Sequence, residues 1–294
     1  MSAYGENEDQ GKSWNEKTGR SWAEHDQEMN SRLQNISDIL FAEIEEKSLS
    51  NALDIGCGAG ATTLRMAEKL SGRGAVTGID ISDALLTLAR EKASAVDNMT
   101  FTWADAQSHR FEPAGFDGAF SRFGVMFFDD PKAAFLNVFD SLKKDSTLSF
   151  VCWQSPALNP WQSLFIEAVK KYVDLPSPPP RSPSPFAFME SEYVSSILEE
   201  SNFQNINNDK FISIRPEKLK IINNNYIKSE NQVILKLIIN QIIFLGDVIK
   251  YICSDENQNE IILKKTRTEI ENVFNIGDKI QVYFNISDGT ILKN

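Results

Sequence analysis

Short apolar runs separated by helix-length amphipathic stretches set the rhythm of the first 150 or so residues. Ala52 to Ile55, Ala75 to Asp80, Met99 to Trp103, Phe116 to Phe120 and Thr147 to Trp153 read as five buried strands. Between them, Ala61 to Leu70, Ala84 to Arg90 and Pro131 to Lys143 carry helical spacing, with Pro131 suited to a first turn. Strands that alternate with helices predict βαβ units, and so an α/β fold on a mostly parallel, twisted sheet. A leading helix is expected over Glu16 to Glu45. Another, over Glu190 to Ser201, precedes a sixth strand drawn from Phe203 to Ile214.

The first strand carries an acid, Asp54, and breaks at once into Gly56-Cys57-Gly58-Ala59-Gly60 before a helix. Glycines remove Cβ atoms where a ligand must touch main chain, and they tolerate positive φ in a tight turn. A strand, a glycine turn and a helix start together suit a nucleotide-like ligand. The same string satisfies the loose dinucleotide fingerprint, so a nicotinamide-dependent oxidoreductase stays open at this point. Strand two ends in Asp80, which can accept from both hydroxyls of a ribose or merely cap the following helix, a job for which Asp83 is better placed. Asp105 follows strand three, where it can accept from an exocyclic adenine amine, and Ala106 leaves room for the ring. The bland reading of Asp105 is a solvated loop residue.

Taken in order, the loop at 52–60, Asp80 and Asp105 resemble the class I S-adenosylmethionine (SAM) methyltransferases. Ser121-Arg-Phe-Gly-Val-Met-Phe-Phe128 and Phe150-Val-Cys-Trp153 resemble the branch of ubiquinone and menaquinone C-methyltransferases. The resemblance covers about residues 12 to 206. It implies a Rossmann-like fold, SAM as cofactor and a small-molecule acceptor. The donor site it implies comprises Asp54, Gly56, Cys57, Gly58, Gly60, Asp80, Ile81, Asp105 and Ala106. Ser121 and Arg122, at the end of strand four, become candidates to face the methyl group, and His109 a candidate general base. Exocyclic amines of nucleic-acid bases are disfavoured as acceptors, because no Asn/Asp-Pro-Pro-Tyr/Phe string follows strand four.

Composition narrows the partners. A net charge of −11 argues against a nucleic-acid surface. Three cysteines make no disulfide framework, and the two histidines, His25 and His109, make a histidine-built metal site an unattractive reading. The opening residues lack the pattern of a signal peptide. The apolar run from Val233 to Leu245 is too short and too interrupted to span a bilayer. The expectation is a cytoplasmic protein with no metal.

Near residue 206 the chain changes character. Residues 1–206 hold 21 alanines and 9 isoleucines; the remainder holds no alanine and 19 isoleucines. Net charge passes from −12 to +1 across the same point. Two domains are therefore expected, 1–206 and 207–294. The second reads as β structure and resembles the TOBE domain, the small oligonucleotide-binding-like barrel that follows importer ATPases. The resemblance rests on Ile214-Arg-Pro-Glu-Lys218, Phe244-Leu-Gly-Asp-Val248 and Asn275-Ile-Gly-Asp-Lys279. No phosphate loop accompanies it, so the chain is no importer ATPase by itself. Ligand sensing, plain structure and a contact in a homodimer stay open for it.

Two consequences follow for the first part. A class I sheet has seven strands, and the position of strand seven falls on tail sequence. Either the tail lends a strand or an edge is left open, which would leave a SAM-binding but catalytically impaired chimera or sensor. The insertion at 156–188 holds six of the eleven prolines between Pro176 and Pro185. Its aromatic flanks Trp153, Trp161, Phe165, Phe186 and Phe188 suit either an apolar lid or a pinned surface loop.

Overall fold

The computed structural model describes residues 7–293, apart from 46–48, 157–158, 160–165, 167, 175–178, 208–209, 215–218, 223–225, 227–231, 246–247, 257–259, 267–273 and 286–288. By internal packing the chain divides into two compact units. One comprises Met1–Ser155, Leu175–Phe211 and Leu292–Asn294; the other comprises Pro156–Asp174 and Ile212–Ile291.

The first unit begins with α1 (Glu8–Asn15), α2 (Lys17–Glu24), α3 (Asp26–Arg32) and α4 (Gln34–Glu45). One long leading helix was the expectation. The chain instead leaves helical geometry at Glu16, His25 and Leu33, and only α4 has the apolar stripe of a core helix. Its Leu40 and Phe41 are fully buried, and Phe41 meets Phe120 edge-on at 5.8 Å.

Next come β1 (Asn51–Ile55), α5 (Ala61–Lys69), β2 (Ala75–Asp80), α6 (Asp83–Lys92), β3 (Met99–Trp103), β4 (Phe116–Arg122), α7 (Pro131–Ser141) and β5 (Leu142–Trp153). The five strands are parallel neighbours in the order β3-β2-β1-β4-β5. Asp54 lies opposite Gly78 of β2 and Phe120 of β4, so all the C-terminal strand ends share one rim. Local chemistry fixes the helix starts. Ser82 caps α6 by accepting from the Leu85 amide, and Asp130 caps α7 by accepting from the Ala133 amide with Pro131 behind it. Ser82, rather than Asp83, is thus the cap. Asp83 sits one position inside, where an acid favours the helix dipole and pairs with Arg90 at 3.3 Å.

A further helix, α8 (Ser191–Glu200), is followed by β6 (Lys210–Ile214). The large sheet closes with β12 (Gly289–Lys293), placed between β5 and β6. This strand runs antiparallel to β5, with Leu292 opposite Trp153 and Lys293 opposite Cys152. Of the two outcomes left open by the sequence, the tail lends the strand. Phe188, a flank of the proline-rich insertion, is core: it is fully buried against Phe135 and Phe150. Trp153 stacks on Phe123 at 4.2 Å. Trp161 and Phe165 lie outside the described residues.

The second unit holds β7 (Lys220–Ile221), β8 (Gln232–Leu245), β9 (Val248–Ser254), β10 (Glu260–Thr266) and β11 (Lys279–Asn285), an antiparallel sheet ordered β10-β9-β8-β11-β7. Alternation along β9 buries Ile249, Tyr251 and Cys253 against Leu237, Leu263 and Val282. The turn before β11 closes through the Asn275 amide, which donates to Asp278 at 2.8 Å, with Gly277 at φ +92°. The string at 215–218 lies outside the described residues.

Deleting residues 289–294 is expected to expose the β5 edge and lower the melting temperature. Each kcal/mol lost corresponds to about 2–4 °C in a unit of this size. A thermal melt unchanged from the full chain would show that β12 adds nothing to the sheet.

Candidate functional site

The glycine loop between β1 and α5 is held on both sides. Gly56 and Cys57 donate their amides to the Ile79 carbonyl at 2.9 and 3.2 Å, and Gly58 donates to Asp80 Oδ2 at 2.7 Å. All three loop glycines have positive φ: Gly56 +66°, Gly58 +56° and Gly60 +79°. At Gly56 the constraint is doubled, because a Cβ there would lie 2.6 Å from the Gly124 Cα. From β4, the Ser121 hydroxyl donates to the Ile55 carbonyl at 2.7 Å and accepts from the Gly124 amide at 3.1 Å. The loop is therefore clamped between the ends of β2 and β4.

Asp54 is fully buried beneath the loop. Its Oδ2 accepts from the hydroxyls of Thr62 and Thr63, each at 2.7 Å, while its Oδ1 has no hydrogen-bond partner. Burial raises its pKa to about 6 against the pull of those hydroxyls. Asp80 accepts from the Ser82 amide at Oδ1 (2.8 Å) and from Gly58 at Oδ2, and burial raises it too to about 6. Asp105, buried just past β3, accepts from the Gln107 amide at Oδ1 and leaves Oδ2 without a partner; burial pushes its pKa up. Ala106 beside it is buried. The Ile81 carbonyl accepts from Asn15 Nδ2 at 2.8 Å and Trp103 Nε1 at 3.0 Å. The Cys57 thiol is buried, and its pKa is pushed well up.

The other candidates stand elsewhere on the rim. Arg122 is half-buried and donates through Nη2 to Asn30 Oδ1 (2.6 Å) and through Nη1 to Ser37 Oγ (2.8 Å). Burial lowers its pKa, while Asp54 and Asp26 act against that. His109 lies in the turn after Asp105, its ring edge-on to Phe111 at 4.8 Å, with its pKa lowered by burial. Among the described residues no group of three or more histidine, cysteine or acidic side chains is placed to hold a metal, and no helix is long and apolar enough to cross a membrane.

Sequence reasoning missed the contribution of α1 to α3. Asn15 ties α1 to Ile81 and accepts from the Asp83 amide at 2.8 Å, and the Trp14 carbonyl accepts from Ser82 Oγ at 2.7 Å. Asn7 donates to the Phe127 carbonyl, and Lys92 bridges Asp26 and the Ala59 carbonyl of the loop. Only Thr62 and Thr63 left a readable trace, since hydroxyls in the first turn after a glycine loop can reach back to the strand acid.

Residues 52–145 match the methyltransferase-domain family and residues 212–292 match the TOBE-domain family. Among curated proteins, an aklanonic acid methyltransferase of Streptomyces sp. (strain C5) is 32% identical over 124 residues, 42% of this chain and 53% of that protein. A demethylmenaquinone methyltransferase of Staphylococcus aureus (strain MRSA252) is 26% identical over 170 residues, 53% of this chain and 68% of that protein. This chain thus spans about half the length of the first of them. A solved SAM-dependent methyltransferase from Aquifex aeolicus aligns at 18% identity with a TM-score of 0.42, over 63% of this chain and 91% of that one.

Two outcomes test the site. Gly56→Ala is expected to cost at least about 2 kcal/mol in urea unfolding, from φ strain and the Gly124 contact together; a cost below about 0.5 kcal/mol would refute the close packing. Asp54 and Asp80 have folded pKa values near 6, above the ordinary 3.8. Folding thus favours their protonated forms. Their contribution to stability is largest below about pH 4 and declines as pH rises from there through 6. Asp54→Asn should lose less stability between pH 4.5 and 7 than the unaltered chain, and an equal loss would contradict the buried-acid account.

Proposed function

We propose that the chain transfers a methyl group from SAM to a small-molecule acceptor. The observation that carries this reading is the pair of buried carboxylate oxygens without hydrogen-bond partners, Asp54 Oδ1 beneath the clamped glycine loop and Asp105 Oδ2 just past β3. A buried acceptor without a donor is costly, and a ligand amine is the natural complement. Asp105 Oδ2 suits the exocyclic amine of adenine, with Ala106 and Ile81 as apolar groups for its ring. Asp80 suits the ribose hydroxyls. Asp54 Oδ1 suits an ammonium group, and the Gly58 backbone leaves space for close approach. These fits support the donor set read from the sequence: Asp54, Gly56, Cys57, Gly58, Gly60, Asp80, Ile81, Asp105 and Ala106.

When bound, the donor supplies a methyl group on a sulfonium, displaced in line by the acceptor nucleophile while the S–C bonding pair goes to sulfur. The residues of this chain act by holding and drying the site. The Ser121 hydroxyl is committed to Ile55 and Gly124, so its part is to fix the rim beneath the methyl position. His109, kept neutral by burial, can take the proton that an acceptor releases. Curated relatives that act on a demethylmenaquinone and on aklanonic acid support a small organic acceptor.

Asp80→Ala is expected to weaken SAM binding by about 1–3 kcal/mol, the loss of a charge-assisted hydrogen-bond pair. Unchanged affinity by calorimetry would remove Asp80 from the site. Methyl transfer itself is tested with labelled SAM and a metabolite extract. A labelled small molecule that forms with the unaltered chain and not with Asp80→Ala supports the reading, and label that appears in neither contradicts it.

A further inference from the structure

The outward face of the sheet β10-β9-β8-β11-β7 carries a lysine on every strand: Lys264, Lys250, Lys236, Lys279 and Lys220. Alternation separates this face from the core. Ile239, Cys253, Leu263 and Ile280 are buried on the inner side, and the residues between them point outward. Four of the lysines are exposed and Lys250 is half-buried. Register fixes where each stands. Lys250 lies directly opposite Lys264, Lys236 opposite Gln281, Lys279 opposite Ile238 and Lys220 opposite Tyr283. On these strands the pairing places one acid on the same face, Glu260, where the β9-β10 ladder ends at Ser254. Among the described residues no ion pair includes any of the five lysines.

Such a face is unfavourable by itself, because like charges directly opposite in an antiparallel pair repel and an acid at either place would relieve them. Isoleucines stand between the cations. Ile252 and Ile262 face one another, both half-buried, two residues along from Lys250 and Lys264. Ile238 is 37% exposed, and the turn bonded to the Ile239 carbonyl through the Gly277 amide carries Ile276, 66% exposed. Nucleic acid, an acidic protein and an anionic lipid surface all bring the opposite charge, and the side chains favour the last. Single strands bind basic grooves through aromatic faces on which their bases stack. Tyr283, the aromatic residue that the register places on this face, is instead packed by Tyr226 at 4.6 Å, with the Lys220 ammonium 5.9 Å from its ring centre. Protein interfaces enrich arginine and deplete lysine. Here every cation is a lysine, a point charge on a flexible stem that suits dispersed headgroups, and the isoleucines between suit the boundary beneath them.

We infer that this face docks on an anionic lipid surface, with the lysines at the headgroups and Ile238 and Ile276 at the acyl boundary. The contact is peripheral and needs no membrane span. The net charge of −11 opposes approach at long range. Screening over about 8 Å at physiological salt leaves the lysines to act locally. The contact is therefore salt-sensitive and reversible, and it stands independently of the methyl-donor reading.

Flotation of the full chain with vesicles tests this. Phosphatidylcholine vesicles with about 30% phosphatidylserine should carry the chain, phosphatidylcholine alone should not, and about 1 M salt should release it. Lys250→Gln together with Lys264→Gln should weaken partitioning about 10- to 30-fold, since each lysine near an anionic surface contributes about 5-fold. That variant removes a repulsive pair, so it should melt no lower than the unaltered chain. Lys143→Gln together with Lys144→Gln removes the same charge from β5 and should change partitioning by less than about 2-fold. The inference is overturned if phosphatidylserine vesicles do not carry the unaltered chain. It is overturned equally if the two double variants lose the same amount. Binding of a single-stranded oligothymidylate, lost in the Lys250→Gln, Lys264→Gln variant and unaccompanied by flotation, would assign the face to nucleic acid and overturn it as well.

Discussion

The site depends on one clamp: the glycine loop after β1 is fixed by the Gly58 amide on Asp80 and by the contact of Gly56 with Gly124. The first anchors it to the end of β2 and the second to the end of β4. The second contact admits no larger residue, because positive φ and a Cβ clash act together at Gly56. With the loop held, Asp54 is sealed below it, Asp80 is turned across it, and α5 starts where Thr62 and Thr63 can reach Asp54. The raised pKa values of Asp54 and Asp80 follow from the same closure, since each carboxylate is taken from water to line a dry site. A site built this way complements a ligand that brings matching donors.

The parallel half of the fold was legible because its signals are local. Each of the five strands is a short apolar run, and the acids at 54, 80 and 105 sit at strand ends, where the βαβ rhythm brings them to one rim. What stayed hidden is non-local. Nothing in Asn15 or Asn7 announces that they bind the chain around Ile81 and Phe127. The leading helix was read as one, yet the chain leaves helical geometry at His25 and Leu33. Phe188 was read as a flank of either an apolar lid or a pinned surface loop, yet its ring completes a cluster with Phe135 and Phe150.

The composition break near residue 206 marked a change of sequence type, and the sheet shows its topological consequence. Isoleucine-rich, alanine-free sequence suits strands, and the last of those strands is taken up beside β5, where Leu292 and Lys293 pair with Trp153 and Cys152. A parallel sheet ending at β5 would expose unpaired amides and carbonyls, and an antiparallel strand at that place removes the liability. The open-edge route to an impaired enzyme therefore has no support in the topology. The remaining strands of the tail bury a core of their own around Tyr251 and Leu263.

The central claim is that the clamped loop and its three acids take SAM rather than a nicotinamide dinucleotide, the alternative its glycine spacing leaves open. Calorimetric titration of the full chain with S-adenosylhomocysteine and, separately, with NAD decides it directly. Saturable binding of S-adenosylhomocysteine, weaker below about pH 6 as Asp54 and Asp80 take up protons, with no measurable binding of NAD, is the result predicted. Tight binding of NAD and none of S-adenosylhomocysteine would contradict the account.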